Sequence, residues 1–286
     1  MTVSDVASNV ASESTTVPFE FIRPGIPLVV FEASINRGQP ARFVLDSGNG
    51  AGLILAESYA CTLGLTSKSK KVPKTAFMVG GDGPAQYAVA RVESLRIGEF
   101  EVVPGKVTIS GLIDDLNRAI KAETAGNIGH GILKDFAVRL DYGAKTLTLV
   151  KEPVPQPGIS FDLARGSIIV VDVTVDGRGP FRMVLDTGAS ATVFSPVLAQ
   201  SVGIELREKT SLLGAGGHIE SFKAEASVVV GDVSSGPLDV FVSDFFEGLS
   251  KATETQIDGV VGYDFLRSHT VTLDYPNRTL RLDAPQ

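Results

Sequence analysis

Two stretches, VVFEASINRGQPARFVLDSG (29–48) and VVDVTVDGRGPFRMVLDTG (170–188), decide how this chain folds. Aligning Asp46 with Asp186 sets them 140 positions apart, and Val30, Pro40, Arg42, Val44, Leu45, Asp46 and Gly48 then meet identical residues. A second pair closes each half: GNIGHGILKDFAVRLDYGAKTLTL (126–149) meets GVVGYDFLRSHTVTLDYPNRTLRL (259–282) without a gap, 133 positions apart. Gly126, Gly129, Leu133, Val138, Leu140, Asp141, Tyr142, Thr146, Leu147 and Leu149 have identical counterparts there. Two collinear blocks with a small change of offset describe an internal duplication with a loop-length difference.

Outward from these blocks the chain divides itself. KEPVPQPG (151–158) carries prolines at 153, 155 and 157, a spacing that favours an extended, semi-rigid connection. The expected organisation is a flexible N-terminal tail (1–18), a first lobe (19–150), this linker (151–158) and a second lobe (159–286). Within each half, short Val-, Ile- and Phe-rich runs bounded by Gly or Pro predict β-strands. LILAESYACTLGL and VFSPVLAQSVGI each predict a short helix, ending at Gly64 and Gly203, and a further helix is predicted over 112–123. The counterpart of that last helix, 244–255, is a poorer helix former.

Composition narrows the classes. A chain of 286 residues is long for one ordinary core and fits two lobes. Its 43% hydrophobic and 21% charged residues are globular values, and a net charge of −7 leaves no basic surplus for a nucleic-acid backbone. No apolar run approaches the roughly 20 residues that span a bilayer. The opening MTVSDVASNVASESTTVP lacks the basic-then-apolar order of an export leader. One cysteine, Cys61, excludes an internal disulfide framework and any Cys-based zinc site; it is expected to be a small packed residue. His130, His218 and His269 are scattered and show no metal-ligand spacing, so no metal and no cofactor are expected.

FVLDSG (43–48) and MVLDTG (183–188) carry the chemistry. In each, an apolar strand delivers an aspartate to a tight turn, and glycine lets the backbone approach closely. The hydroxyls of Ser47 and Thr187 are placed to hydrogen-bond between the loops. One such triplet is an ordinary strand-ending turn. Two at equivalent places of a repeat bring two carboxylates face to face, which is a catalytic device. Asp141 and Asp274, each in a Leu-Asp-Tyr unit before a turn, are read as hairpin structure.

With these residues in view, the sequence resembles the pepsin and retropepsin superfamily of aspartic peptidases, and is most similar to bacterial retropepsin-like proteins that carry the unit twice. The resemblance covers about residues 26 to 283. It extends to the apolar-apolar-Gly motif that closes each unit, here Asn127-Ile128-Gly129, with one apolar position replaced, and Val260-Val261-Gly262. It implies a mainly β, bilobal acid-protease fold of two retropepsin-like β-barrel lobes with short helices and pseudo-two-fold symmetry. Asp46 and Asp186 would be catalytic, and Ser47, Gly48, Thr187, Gly188, Gly129 and Gly262 would support their loops. The flaps over the substrate would be the hairpins at Gly80, Gly81, Asp82 and Gly83 and at Gly214, Ala215, Gly216 and Gly217.

The first half departs from the pattern at Asn49-Gly50, where the family has a small Ala, Ser or Thr, and at Gly131, where the second half has Asp264. The implied partner is an extended polypeptide, and a monomer suffices because both half-sites lie in one chain. A catalytically silent module that holds a peptide in the same cleft is the alternative. Ala189 offers Asp186 no side-chain donor, so a milder working pH than in the most acid-adapted relatives is expected, an effect Asn49 could offset in the first lobe. On compartment the residues are silent; the resemblance leans to export, periplasmic or secreted, with the cytoplasm left open.

Overall fold

The computed structural model describes residues 13–23, 25–65, 68–71 and 86–285. It is mainly β, and its two lobes of sheet repeat one another element by element. In the first lobe Ile26–Ile35 pairs with Ala41–Leu45; in the second, Ile168–Val175 pairs with Arg178–Leu185. Both hairpins turn on two residues with positive φ, Asn36 and Arg37 (49° and 58°) and Asp176 and Gly177 (47° and 74°). That is the turn whose twist matches the strands it joins.

A short strand then threads the middle of each lobe. Gly126–Ile128 lies parallel to the strand before Asp46 and antiparallel to Leu53–Ala56. Gly259–Val261 lies parallel to the strand before Asp186 and antiparallel to Val193–Phe194. Phe43, Leu45, Leu55 and Ile128 in one lobe, and Leu185, Phe194 and Val261 in the other, are fully buried and belong to one continuous core.

Beneath the lobes a shared antiparallel sheet joins them. Phe136–Asp141 pairs with Thr270–Asp274, and Arg139 faces Thr272 at the centre. Those two residues are equivalents in the repeat, so the pseudo-two-fold axis passes through that pair. Ring contacts repeat about the same axis. Phe19 meets Tyr142 at 6.0 Å and Phe161 meets Tyr275 at 6.2 Å. Tyr263 crosses to Tyr142, and its equivalent His130 crosses to Tyr275, both at 5.5 Å. Each lobe therefore inserts a ring against the other's Leu-Asp-Tyr unit. The aspartates of those units behave as hairpin residues: Asp141 accepts from the Ala144 N–H and Asp274 from the Asn277 N–H.

Three expectations need correction. The tail does not extend to residue 18, because Ser14–Arg23 is a strand whose first residues pair with Thr146–Lys151. The expected helix over LILAESYACTLGL begins as a strand, Leu53–Ala56, and only Glu57–Thr62 is helical. Its apolar residues are claimed by strands on both sides, and a residue so enclosed gains more in the sheet than in a one-sided helix. Likewise Val193–Phe194 is a strand before the helix Pro196–Val202, which is capped by Ser195 and ends at Gly203 with φ 87°. Cys61, thirdly, is exposed on its helix and is not a packed residue. The helix predicted over 112–123 is observed as Gly111–Ile120, and its weaker counterpart as Phe246–Thr253.

Candidate active site

The Asp-Ser-Gly and Asp-Thr-Gly turns meet where the lobes meet. Ser47 and Thr187 are each 1% exposed and lock the turns reciprocally. The Ser47 N–H donates to Thr187 Oγ1 at 3.0 Å and the Thr187 N–H to Ser47 Oγ at 2.9 Å. Each hydroxyl in turn donates to a carbonyl of the opposite lobe, Ser47 to Leu185 at 2.8 Å and Thr187 to Leu45 at 3.1 Å. Four buried hydrogen bonds thereby join the lobes and give each of the six groups a partner.

The same interlock brings the aspartates together. A Cβ at Gly188 would stand 2.7 Å from Asp46 Oδ1 and 3.2 Å from Asp186 Oδ1. One at Gly48 would stand 2.5 Å from Asp186 Oδ2. Only glycine leaves room for a carboxyl from the other lobe at these positions. Asp186 Oδ1 accepts from the Gly188 N–H at 2.7 Å and, across the interface, from the Gly48 N–H at 3.1 Å. Asp46 Oδ2 accepts from Asn127 Nδ2 at 2.9 Å.

Threaded strands hold both loops from behind. The Asp46 N–H donates to the Ile128 carbonyl and the Asp186 N–H to the Val261 carbonyl, each at 3.0 Å. His130 donates its N–H to the Asn49 carbonyl, and Tyr263 donates to that of Ala189. Gly129 and Gly262 sit in these crossings; an added Cβ would be 2.3 Å from the Asn49 carbonyl oxygen or 2.4 Å from that of Ala191. In the second lobe Asp264 also clamps the loop, accepting from the Thr192 N–H and hydroxyl. The first lobe has Gly131 there and uses backbone contact instead, the Gly131 N–H reaching the Ala51 carbonyl.

Burial dominates the electrostatics. Removal from water raises both carboxyls above the usual carboxylate range, and the neighbouring Asp186 charge pushes Asp46 up further, to about 7. Hydrogen bonds pull in the opposite direction, from Asn127 on Asp46 and from Gly188 and Gly48 on Asp186. Tyr275 and Tyr142 lie within reach of these charges, and their phenols are also raised, first by burial.

Asn49 does not act as expected. Its Oδ1 accepts from the Ala51 N–H at 2.9 Å and its buried Nδ2 has no partner among the described residues. The side-chain donor to the first aspartate is Asn127. The sequence marked Asn127 only as a replaced apolar position. Its signal was available: an amide on a strand buried on both sides must find a polar partner nearby. The cross-lobe contacts of His130 and Tyr275 carried no such signal.

Of the two expected hairpins, the first rises from Lys68–Lys71 and Gln86–Val92, while Gly80, Gly81, Asp82 and Gly83 lie outside the described residues. The second pairs Lys209–Gly214 with Gly217–Val230, so Ala215 and Gly216 form its tip. Leu212 of this hairpin packs on an apolar cluster with Val184, Val260, Phe246 and Ala189, next to the Asp186 loop. His218 Nδ1 lies 3.1 Å from Ser211 Oγ on the hairpin's other face. No helix among the described residues is long and apolar enough to cross a membrane.

A two-lobed sheet protein with interlocked acidic turns is the architecture of a bilobal, retropepsin-like acid protease. The family model described as aspartyl protease matches residues 31–119 and 171–265, once in each half and together more than half of the chain. This chain belongs to the aspartyl protease family. No curated protein matches it.

Proposed function

We propose that the chain is an aspartic endopeptidase in which Asp46 and Asp186 share one proton and activate one water against a peptide bond. The observation that carries this reading is the placement of two half-buried carboxyls, one from each lobe, with an oxygen of each within 3.2 Å of where a Cβ on Gly188 would stand. Two such groups cannot both ionise cheaply, so the pair is monoprotonated over a pH window bounded by two macroscopic constants. The ionised member takes a proton from the water as its oxygen attacks the carbonyl carbon. The protonated member hydrogen-bonds the carbonyl oxygen and stabilises the charge growing there. Collapse of the tetrahedral species then returns a proton to the departing amine.

The remaining groups have supporting parts in this reading. Ser47 and Thr187 hold the turns in register, and Gly129 and Gly262 let the threaded strands back them closely. The hairpin tipped by Ala215 and Gly216, and the segment Gly80–Gly83 that the resemblance assigns as the other flap, would close over an extended polypeptide and pair with its backbone, which favours accessible loops and linkers as targets. The lobes divide at the proline-rich 151–158 segment, and one chain completes the cleft. The upward displacement of both carboxyls supports a working range milder than that of strongly acid-adapted proteases.

The test is cleavage of a quenched peptide library from pH 3 to 8, with and without a pepstatin-like inhibitor, by the wild type and by Asp46→Ala and Asp186→Ala. Loss of inhibitor-sensitive cleavage in both variants is the expected result. Absence of cleavage by the wild type across that range would instead mark a silent peptide-binding module.

A further inference from the structure

The repeat is close to symmetric, yet the two carboxyls do not receive the same donors. Both glycine N–H groups of the interlocked turns, from Gly48 and Gly188, point at Asp186 Oδ1. Asp46 receives the Asn127 amide on Oδ2 at 2.9 Å, with smaller contributions from the Asn49 and Gly48 N–H groups, and its Oδ1 faces Gly188 and the other carboxyl. The equivalent of Asn127 is Val260, which gives Asp186 no side-chain donor and lies in the apolar cluster of the second lobe. The side-chain part of the asymmetry follows from an amide in one half where the other has hydrocarbon, and the convergence of two glycine N–H groups on Asp186 follows from how the turns meet.

Resting on the two-carboxyl reading above, the geometry points to a division of labour. Asp186 is the ionised member that takes the proton from water, Asp46 carries the shared proton, and Asn127 is the positioning residue that selects the oxygen bearing it. Two backbone donors converging on one oxygen stabilise a carboxylate more than a neutral carboxyl. An amide N–H on Oδ2 of Asp46 makes that oxygen the acceptor, so the proton sits on Oδ1, the oxygen turned toward Asp186. In the reaction Asp46 Oδ1–H then hydrogen-bonds the substrate carbonyl oxygen while Asp186 accepts the proton of the water. No atom or electron is left over: one proton enters the pair from water and one leaves with the amine.

The other titratable groups around the pair leave this assignment intact. The charge acting on Asp46 is that of Asp186. Tyr275, directly after the strand Thr270–Asp274, feels both carboxyls, and Tyr142 feels Asp186. Both phenols are buried and held neutral. His130 meets Tyr275 edge to face, as Tyr263 meets Tyr142, and among the described residues no lysine or arginine is one of the groups acting on either aspartate.

Asn127→Val, which copies Val260, separates the possibilities because the two macroscopic constants respond differently. If Asp46 holds the proton in the monoprotonated pair, removing its donor disfavours only the doubly ionised state. The alkaline limb of kcat/KM then moves up by about one pH unit while the acid limb stays. If Asp46 were the ionised member, the acid limb would move up instead, and that result overturns the assignment. An unchanged profile in a folded variant overturns it equally. Carboxyl-13C titration of Asp-labelled wild type and variant reads the same two constants without any turnover. A wild type that cleaves nothing thus sinks the protease reading while this inference is still decided. Asn127→Ala serves as the second variant should Val perturb the strand, with thermal melting as the check on folding.

Discussion

At the scale of single residues, the interlock of Ser47 with Thr187 is the feature on which the site's geometry depends. Each hydroxyl both accepts a backbone N–H and donates to a carbonyl of the opposite lobe. Truncation strands a buried N–H and a buried carbonyl together. Ser47→Ala and Thr187→Ala should each lower stability by about 1–3 kcal/mol, read by urea denaturation. Activity should fall more than stability requires, because the two carboxyls lose their common register. Asp46→Asn and Asp186→Asn keep the shape and remove one ionisable partner. Each should reduce kcat/KM by about 10²–10⁴-fold with little change in peptide affinity, measured by cleavage kinetics beside equilibrium binding of a substrate analogue. An Asn variant retaining most of the cleavage would exclude that residue from the chemistry.

Elements act by carrying these residues to the right place. Each threaded strand, Gly126–Ile128 or Gly259–Val261, lies parallel to the strand that ends in an aspartate and supplies the carbonyl that fixes the aspartate's N–H. The crossing is tight enough that Gly262 has no space for a side chain, with an added Cβ 2.4 Å from the Ala191 carbonyl oxygen. Because that obstacle is backbone and not the end of a flexible side chain, Gly262→Ala must displace the loop. A loss of about 1–3 kcal/mol is expected, seen as a lower melting temperature, with cleavage impaired even in the folded fraction. How much of this was legible beforehand varied by element. The paired strands before Asp46 and Asp186 were plain from alternating Val, Ile and Phe and from the repeat. Leu53–Ala56 was not, since a four-residue apolar run has no period that separates strand from helix, and neighbours on both sides settled it. The start of Ser14–Arg23 was hidden for a related reason. Its small polar residues pair with Thr146–Lys151 through backbone groups, which no side-chain pattern reports.

For the molecule as a whole, stability and the site are linked through protons. Both half-buried carboxyls have native values above the ordinary range, Asp46 reaching about 7 from 3.8. The folded state then binds more protons than the unfolded chain between those values. Unfolding free energy must therefore fall as pH rises through this window, by at most about 1.4 kcal/mol per pH unit for each proton of difference. Melting temperatures between pH 4 and 7 should decline accordingly, and Asp46→Asn should flatten the decline. A wild-type curve rising over that interval would contradict the raised proton affinity of the pair. The shared sheet makes this a property of both lobes at once, since Phe136–Asp141 and Thr270–Asp274 pair directly and Tyr263 and His130 cross between lobes.

The residues alone determined the duplicated β architecture, the two acidic turns and the places where glycine is required. Those features are set by local period and by spacings repeated along the chain, and both survive without knowledge of what lies across from them. Tertiary structure decided which donors reach which carboxyl. Which N–H reaches which carboxylate oxygen depends on how two unlike loops meet across an axis, where a hydrogen bond is made or lost within an ångström. Two nearly identical triplets in sequence are thus unequal in space, and Asn127 is the side chain that sets them apart.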